Sequence, residues 1–240
     1  MVAQQAKTLI KYASLALLSI NLIACSGTHY IEVADRMDVI TLGDSIYDDN
    51  SQIEANLESW ADQSFRNYTQ GGAELSGGIL AASVEAQYAS AKARDPQINT
   101  VIMNGGGNDL LIPAILFDPY GCRTHWYRRN ISQGCVNLII EQYITLTNLL
   151  NTMHADGVRD IVFLGYYELP RSNTILGMTL DYGNGYLAYA CNTASAANCE
   201  FVDPRGTIPA SDVKSDDIHP TVSGSLKLAQ QIWPVLQGKL

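Results

Sequence analysis

The chain has 240 residues, 47% of them hydrophobic and 16% charged, and a formal net charge of −9. It is long enough for one full-sized core and too apolar for a disordered chain. With 15 Lys and Arg against 24 Asp and Glu, and no run of like charge, it does not read as a general nucleic-acid binder, which carries a basic patch.

Residues 1–24 read as an export signal. Lys7 and Lys11 precede "YASLALLSINLIACSG", a short basic region followed by an apolar one and small residues. The apolar run falls short of the ~20 residues of a membrane span. Its end, Leu22-Ile23-Ala24-Cys25, resembles the lipobox of bacterial lipoproteins. That resemblance implies a lipid on Cys25 as the first mature residue; the alternative is an ordinary signal with an incidental cysteine. Ser26 follows rather than Asp, which implies sorting to the outer membrane. The expected organisation is a signal over 1–24, a tether over 25–37 and one domain over 38–240, exported and anchored to the cell envelope.

From residue 38 strand and helix patterns alternate. "DVITLG" reads as a strand, "SQIEANLESWADQS" as an amphipathic helix with Ile53, Leu57 and Trp60 on one face, and "FRNYTQ" as a short strand before Gly71-Gly72. "SGGILAASVEAQYASAKARD" predicts a helix, "INTVIMNGGGND" a strand ending in three glycines, and "VNLIIEQYITLTNLLNTMHADG" a long helix stopped at Gly157. "VRDIVFLGYY" and "CEFVDP" predict strands and "TVSGSLKLAQQIWPVLQGKL" a last helix. The alternation predicts a three-layer α/β/α sandwich on a mainly parallel, flavodoxin-like sheet, with ligands at the carboxyl ends of the strands. Residues 110–136 and 170–198 interrupt the alternation and read as long, lid-like insertions.

Those insertions hold the cysteines that remain once Cys25 is set aside: Cys122, Cys135, Cys191 and Cys199. An even number in an exported chain predicts disulfides. Of three possible pairings, proximity favours Cys122 with Cys135 and Cys191 with Cys199. A metal site is the rival, but there is no Cys-x-x-Cys and no nearby histidine pair. The sequence also lacks a phosphate loop, since "NGGGND" has neither the following Lys-Ser/Thr nor the spacing of a dinucleotide fingerprint. No cofactor is expected.

Two segments point to nucleophilic chemistry. The first strand ends in Gly43-Asp44-Ser45, and "KSDDIHPTVSG" near the C-terminus holds Asp216 and His219 in the spacing Asp-x-x-His. A serine hydroxyl needs a base within hydrogen-bond reach and donors for the oxyanion it creates. On a tight turn Asp216 can reach the imidazole Nδ1 and fix its tautomer, leaving the other nitrogen for Ser45. The blander reading makes His219 a turn residue, Asp44 a cap, Asp109 a brace for its loop, and Tyr166, Tyr167 and Trp126 core or surface cover.

Taken together, "GDSIYDD", the Gly71-Gly72 turn, "GGND" and "DDIHP" resemble the four sequence blocks of the SGNH hydrolases, also called GDSL lipases and esterases. They stand in that family's order over residues 38–224. The resemblance implies Ser45 as nucleophile, His219 as base and then acid, and Asp216 as its orienting carboxylate, with Asp217 as a rival. It implies an oxyanion hole from the backbone N–H of Ser45, the backbone N–H of Gly72 (or Gly71) and the side-chain amide of Asn108. Ile46 stands where the family name has leucine. The implied activity is hydrolysis of small-molecule carboxylic esters, by an esterase, lipase or carbohydrate O-deacetylase; a non-catalytic envelope binding protein on the same fold is the alternative.

Overall fold

A computed structural model describes residues 30–78, 80–171 and 173–240. The signal expected over 1–24 and Cys25 lie outside them. Five strands form one all-parallel sheet: β1 (Arg36–Leu42), β2 (Phe65–Asn67), β3 (Thr100–Met103), β4 (Asp160–Leu164) and β5 (Cys199–Val202), in the order β2-β1-β3-β4-β5. That is the flavodoxin-like order the alternation predicts. The three central strands are near-continuous apolar runs because helices cover both faces of a parallel sheet; Val39, Ile40 and Leu42, Val101 to Met103, and Ile161 to Leu164 are all buried.

The topology sorts the helices. The crossover from β1 to β2 runs one way along the sheet and the later ones run the other way, so right-handed connections put them on opposite faces. The first face holds α2 (Gln52–Ala61) and the C-terminal α7 (Val222–Leu236), where Trp60 meets Trp233 edge-on with centroids 5.7 Å apart. The second holds α3 (Val84–Arg94), α5 (Gln133–Ala155) and α6 (Asn173–Tyr189). Two further helices start at strand ends: the single turn α1 (Ser45–Asp48) after β1, and α4 (Gly107–Leu116) after β3.

Three expectations need correction. The helix expected over 76–95 begins only at Val84, because Gly77 and Gly78 take positive φ and Ser83 caps the helix, accepting from Ala86 N–H. The insertion at 110–136 is helical in its first part, where α4 carries Pro113 through to Leu116. The insertion at 170–198 is mostly α6 with one wide turn over Ala190–Ala194. Gly177, Gly183 and Gly185 lower helix propensity there, but Leu176, Leu180, Asn184 and Leu187 are buried, and tertiary packing outweighs propensity. Both favoured disulfides, Cys122–Cys135 and Cys191–Cys199, are present.

Candidate active site

The carboxyl edge of the sheet is held together by side-chain amides. Gln87 on α3 pairs with both polar groups of Gly43, accepting from its N–H at 2.8 Å and donating to its C=O at 2.9 Å. Asn104 accepts from Asp44 N–H at 3.0 Å. This closeness forbids a side chain at Gly43: a Cβ there would stand 1.9 Å from Asn104 Oδ1. The strand therefore ends in Gly-Asp-Ser partly because only glycine fits beside Asn104, and Ser45 follows as the first residue of α1.

Asp44 is buried beneath that serine. It caps α1 by accepting from Ile46 N–H at 2.9 Å, and it also accepts from Asn104 Nδ2 at 2.8 Å and Tyr166 OH at 2.6 Å. Burial pushes its carboxyl up from the ordinary range, while the three donors and the nearby His219 ring pull it down. Tyr166 is fixed in turn by Asn184, which pairs with its N–H at 2.9 Å and its C=O at 2.6 Å. Asn104, Tyr166 and Asn184 are the site residues that sequence reasoning missed or set aside as cover. Their signal was positional: Asn104 directly precedes the three glycines after β3, and Tyr166 directly follows β4 and Gly165.

Three loops meet around Ser45. Gln70 N–H donates to Gly43 C=O at 3.0 Å, and Gly71 N–H donates to Asp48 Oδ2 on α1 at 2.8 Å. Asn108 Nδ2 donates to Ala73 C=O at 2.9 Å, which uses one of its two amide hydrogens. Asp109 is buried and accepts from Leu75 N–H at 3.0 Å, so it braces the loop of Ala73 and Leu75 rather than its own. Among the described residues Gly72 N–H has no hydrogen-bond partner, and Gly72 sits at φ +84°. Gly71 has already committed its N–H to Asp48. Ser45 N–H, first in its helix, has no helical acceptor behind it.

The base side is a short loop before α7. Asp217 takes φ +68°, which folds the loop tightly. Asp216 Oδ1 then accepts from the N–H groups of Ile218 and His219 at 2.9 and 3.0 Å, and Oδ2 lies 2.8 Å from His219 Nδ1. Burial works against the Asp216 charge, but these N–H groups and the ring hold its carboxyl below the ordinary range. Asp217, the rival, is engaged with Arg171 N–H at 2.8 Å. Tyr167 OH donates to Ile218 C=O, bracing the loop from β4. The loop is tied to α1: Lys214 Nζ pairs with Asp49, Asn50 Nδ2 donates to Pro220 C=O at 3.1 Å, and Ser225 Oγ donates to Asn50 Oδ1 at 3.0 Å. Among the described residues no hydrogen bond joins Ser45 Oγ to the His219 ring, as is common before substrate tightens a site.

Ser45, Asn108, Tyr166, Tyr167 and Ile218 line one cavity of about 20 Å³, closed by Leu111, Leu169 and Leu180. Trp126, read with the tyrosines as core or surface cover, is 88% exposed and outside it.

No family model matches the sequence, and no curated protein is similar to it. Solved structures are similar in fold. A lipase from a goat rumen metagenome superposes with a TM-score of 0.58 at 14% identity, over 80% of this chain and 94% of that one. A candidate SGNH hydrolase from Slackia heliotrinireducens gives 0.53 at 17% identity, over 82% and 97%. A carbohydrate esterase of family 3 from Talaromyces cellulolyticus gives 0.55 at 16% identity, over 83% and 96%. The chain thus has the fold of the SGNH hydrolases, as its four sequence blocks imply.

Proposed function

We propose that this SGNH-fold chain is a serine hydrolase that cleaves carboxylic esters of short acyl groups. The observation that carries the reading is the meeting of three loops around Ser45, with the Asp216–His219 pair tied to the same turn. In this reading Ser45 Oγ attacks the ester carbonyl while His219 Nε2 takes its proton. Asp216 holds the ring in the tautomer that leaves Nε2 free to accept, and it stabilises the imidazolium. The N–H of Ser45, the N–H of Gly72 and the second amide hydrogen of Asn108 receive the oxyanion. His219 returns the proton to the departing alcohol. Water, deprotonated by the same ring, then attacks the acyl-serine and releases the acid.

The cavity supports a short acyl group. About 20 Å³ is room for roughly one water-sized group, and its Leu111, Leu169 and Leu180 wall favours a methyl over a polar substituent. The reading leaves glycan and small aryl or alkyl esters together as the substrate class. Anchoring through Cys25 belongs to the same reading. A fatty-acid label should mark the wild type and not Cys25→Ala; equal labelling would remove that part alone.

The enzyme reading is tested by mass spectrometry after treatment with a fluorophosphonate. One adduct on Ser45, abolished in His219→Ala, is expected. Turnover of p-nitrophenyl acetate should exceed that of the octanoate ester and vanish in Ser45→Ala. No adduct, with equal background hydrolysis by wild type and Ser45→Ala, would leave a binding protein.

A further inference from the structure

Away from the site the molecule carries a feature that ester hydrolysis does not use. The three most exposed large hydrophobic side chains among the described residues are Trp126 (88%), Phe117 (86%) and Tyr127 (69%). All fall within eleven residues of sequence. Leaving such groups in water opposes the hydrophobic effect, and their clustering marks an interaction surface.

The cluster is built rigidly. Cys122–Cys135 staples the segment to the first turn of α5. Thr124 N–H donates to Ile175 C=O on α6 at 2.7 Å, and Arg123 donates to Ile115 C=O on α4 at 2.5 Å. Tyr127 stacks on His125 with centroids 5.1 Å apart and meets Trp126 edge-on at 5.5 Å.

Its position follows from lengths. Helix α5 has 23 residues, about 34 Å, and it leads down to β4, whose five residues span about 17 Å. Its N-terminal part therefore stands above the carboxyl edge of the sheet, on the side of Ser45. Tyr30, the first described residue, is at that edge too, because Ile31 pairs with Asn67 at the end of β2.

The charge is reversed locally. Residues 115–131 hold Arg123, Arg128 and Arg129 against one acid, Asp118, in a chain of net charge −9. Asp118 is already bound to Arg128 at 3.0 Å and to Cys122 N–H at 2.6 Å. The segment's one carboxylate is taken by Arg128, and its one amide, Asn130, stands beside a surplus of positive charge carried by Arg123 and Arg129. Guanidinium groups neighbouring aromatic rings in the chain suit phosphates at a lipid–water interface, where aromatics sit at headgroup level. Among the described residues no helix is long and apolar enough to cross a membrane, so the contact is superficial.

We propose that the tip formed by Phe117, Trp126 and Tyr127 with Arg123, Arg128 and Arg129 docks on an anionic phospholipid surface, turning the Ser45 edge towards it. The test uses the full chain with phosphatidylglycerol vesicles carrying brominated acyl chains, read by tryptophan fluorescence. Quenching is expected, and it should be lost in Trp126→Phe, which keeps ester turnover. Residues 1–24 could carry the chain to a vesicle without placing an indole at position 126 among the acyl chains, so the signal is specific to the tip. Arg129→Gln should weaken partition on phosphatidylglycerol about fivefold and leave partition on neutral phosphatidylcholine unchanged. Quenching that survives Trp126→Phe, or none on either lipid, overturns the proposal. So does a Trp126 emission shift produced by soluble xylan and not by vesicles, which would give the tip to a glycan.

Discussion

The two halves of the candidate site are built in different ways. The serine half lies at the strand ends, with Asp44 buried and bonded to Ile46, Asn104 and Tyr166, and with Gln87 and Asn184 fixing the backbone beside it. The base half is a surface loop, where the Asp216 side chain is 44% exposed and His219 is held by two short contacts and a tie to α1. The difference matches what each half would do in the proposed reaction. Oxyanion donors must be fixed before charge develops, so they belong in the core. A base must gain and lose a proton in each cycle, and a partly solvated loop lets it do so at small cost.

The strongest way to break this contrast is to remove the base. His219→Ala should lower kcat by about 10⁶-fold and leave the melting temperature within a few degrees, since only a surface loop changes. A loss of stability as large as the loss of activity would show that the loop belongs to the core. Asn108→Ala tests the opposite half at smaller amplitude. Loss of one oxyanion donor should cost about 2.7–4 kcal/mol, or 10²–10³ in kcat, with little change in KM. A rise in KM alone would make Asn108 a substrate contact.

Asp44 and Asp216 then separate structure from chemistry. Asp44→Ala strands Tyr166 OH, the Asn104 amide and Ile46 N–H in the core, and should cost about 3 kcal/mol in chemical denaturation. Asp216→Ala should cost under about 1 kcal/mol of stability while lowering kcat far more. Similar stability losses in the two variants would erase the distinction drawn between the halves.

How much of this was legible in the sequence follows the same division. The strands were legible because β1, β3 and β4 are near-continuous apolar runs, and the candidates Ser45, Asp216 and His219 were legible because each sits in a short local pattern. Helices α4 and α6 were not, because Pro113, Gly177, Gly183 and Gly185 argue locally for loop while burial of Leu110, Leu111, Leu180 and Leu187 decides for helix. The amide network was illegible for a related reason. Asn104, Gln87 and Asn184 act on backbone groups 18 to 60 residues away, and no local spacing announces such pairs. Gly72 was preferred to Gly71 on the family pattern alone, and the engagement of the Gly71 N–H with Asp48 is a long-range contact that no local spacing announces.

The last prediction separates the halves by pH. Glu54 on α2 is buried, with Asn67 Nδ2 3.4 Å from one carboxyl oxygen. Burial, aided by the charges of Asp48 and Glu58, pushes its carboxyl up to about 8 from 4.5. Between those values the unfolded chain has released the proton and the native chain still holds it, so stability falls as pH rises from about 4.5 to 8. Asp216 has the opposite sign: its carboxyl is held below 3.8, so its contribution is present above that value and is lost only in acid. Glu54→Gln keeps the volume and removes the ionisation. Thermal melts at pH 5.5 and 8.5 should show the variant gaining on the wild type at the higher pH by several degrees, at roughly 2–4 °C per kcal/mol for a chain of this size. Because the serine half is a closed network, this loss should appear as lower melting temperature before any change in turnover at 25 °C. A gap between variant and wild type that stays constant with pH would mean that Glu54 ionises as freely as a surface acid, and that its site is open to water.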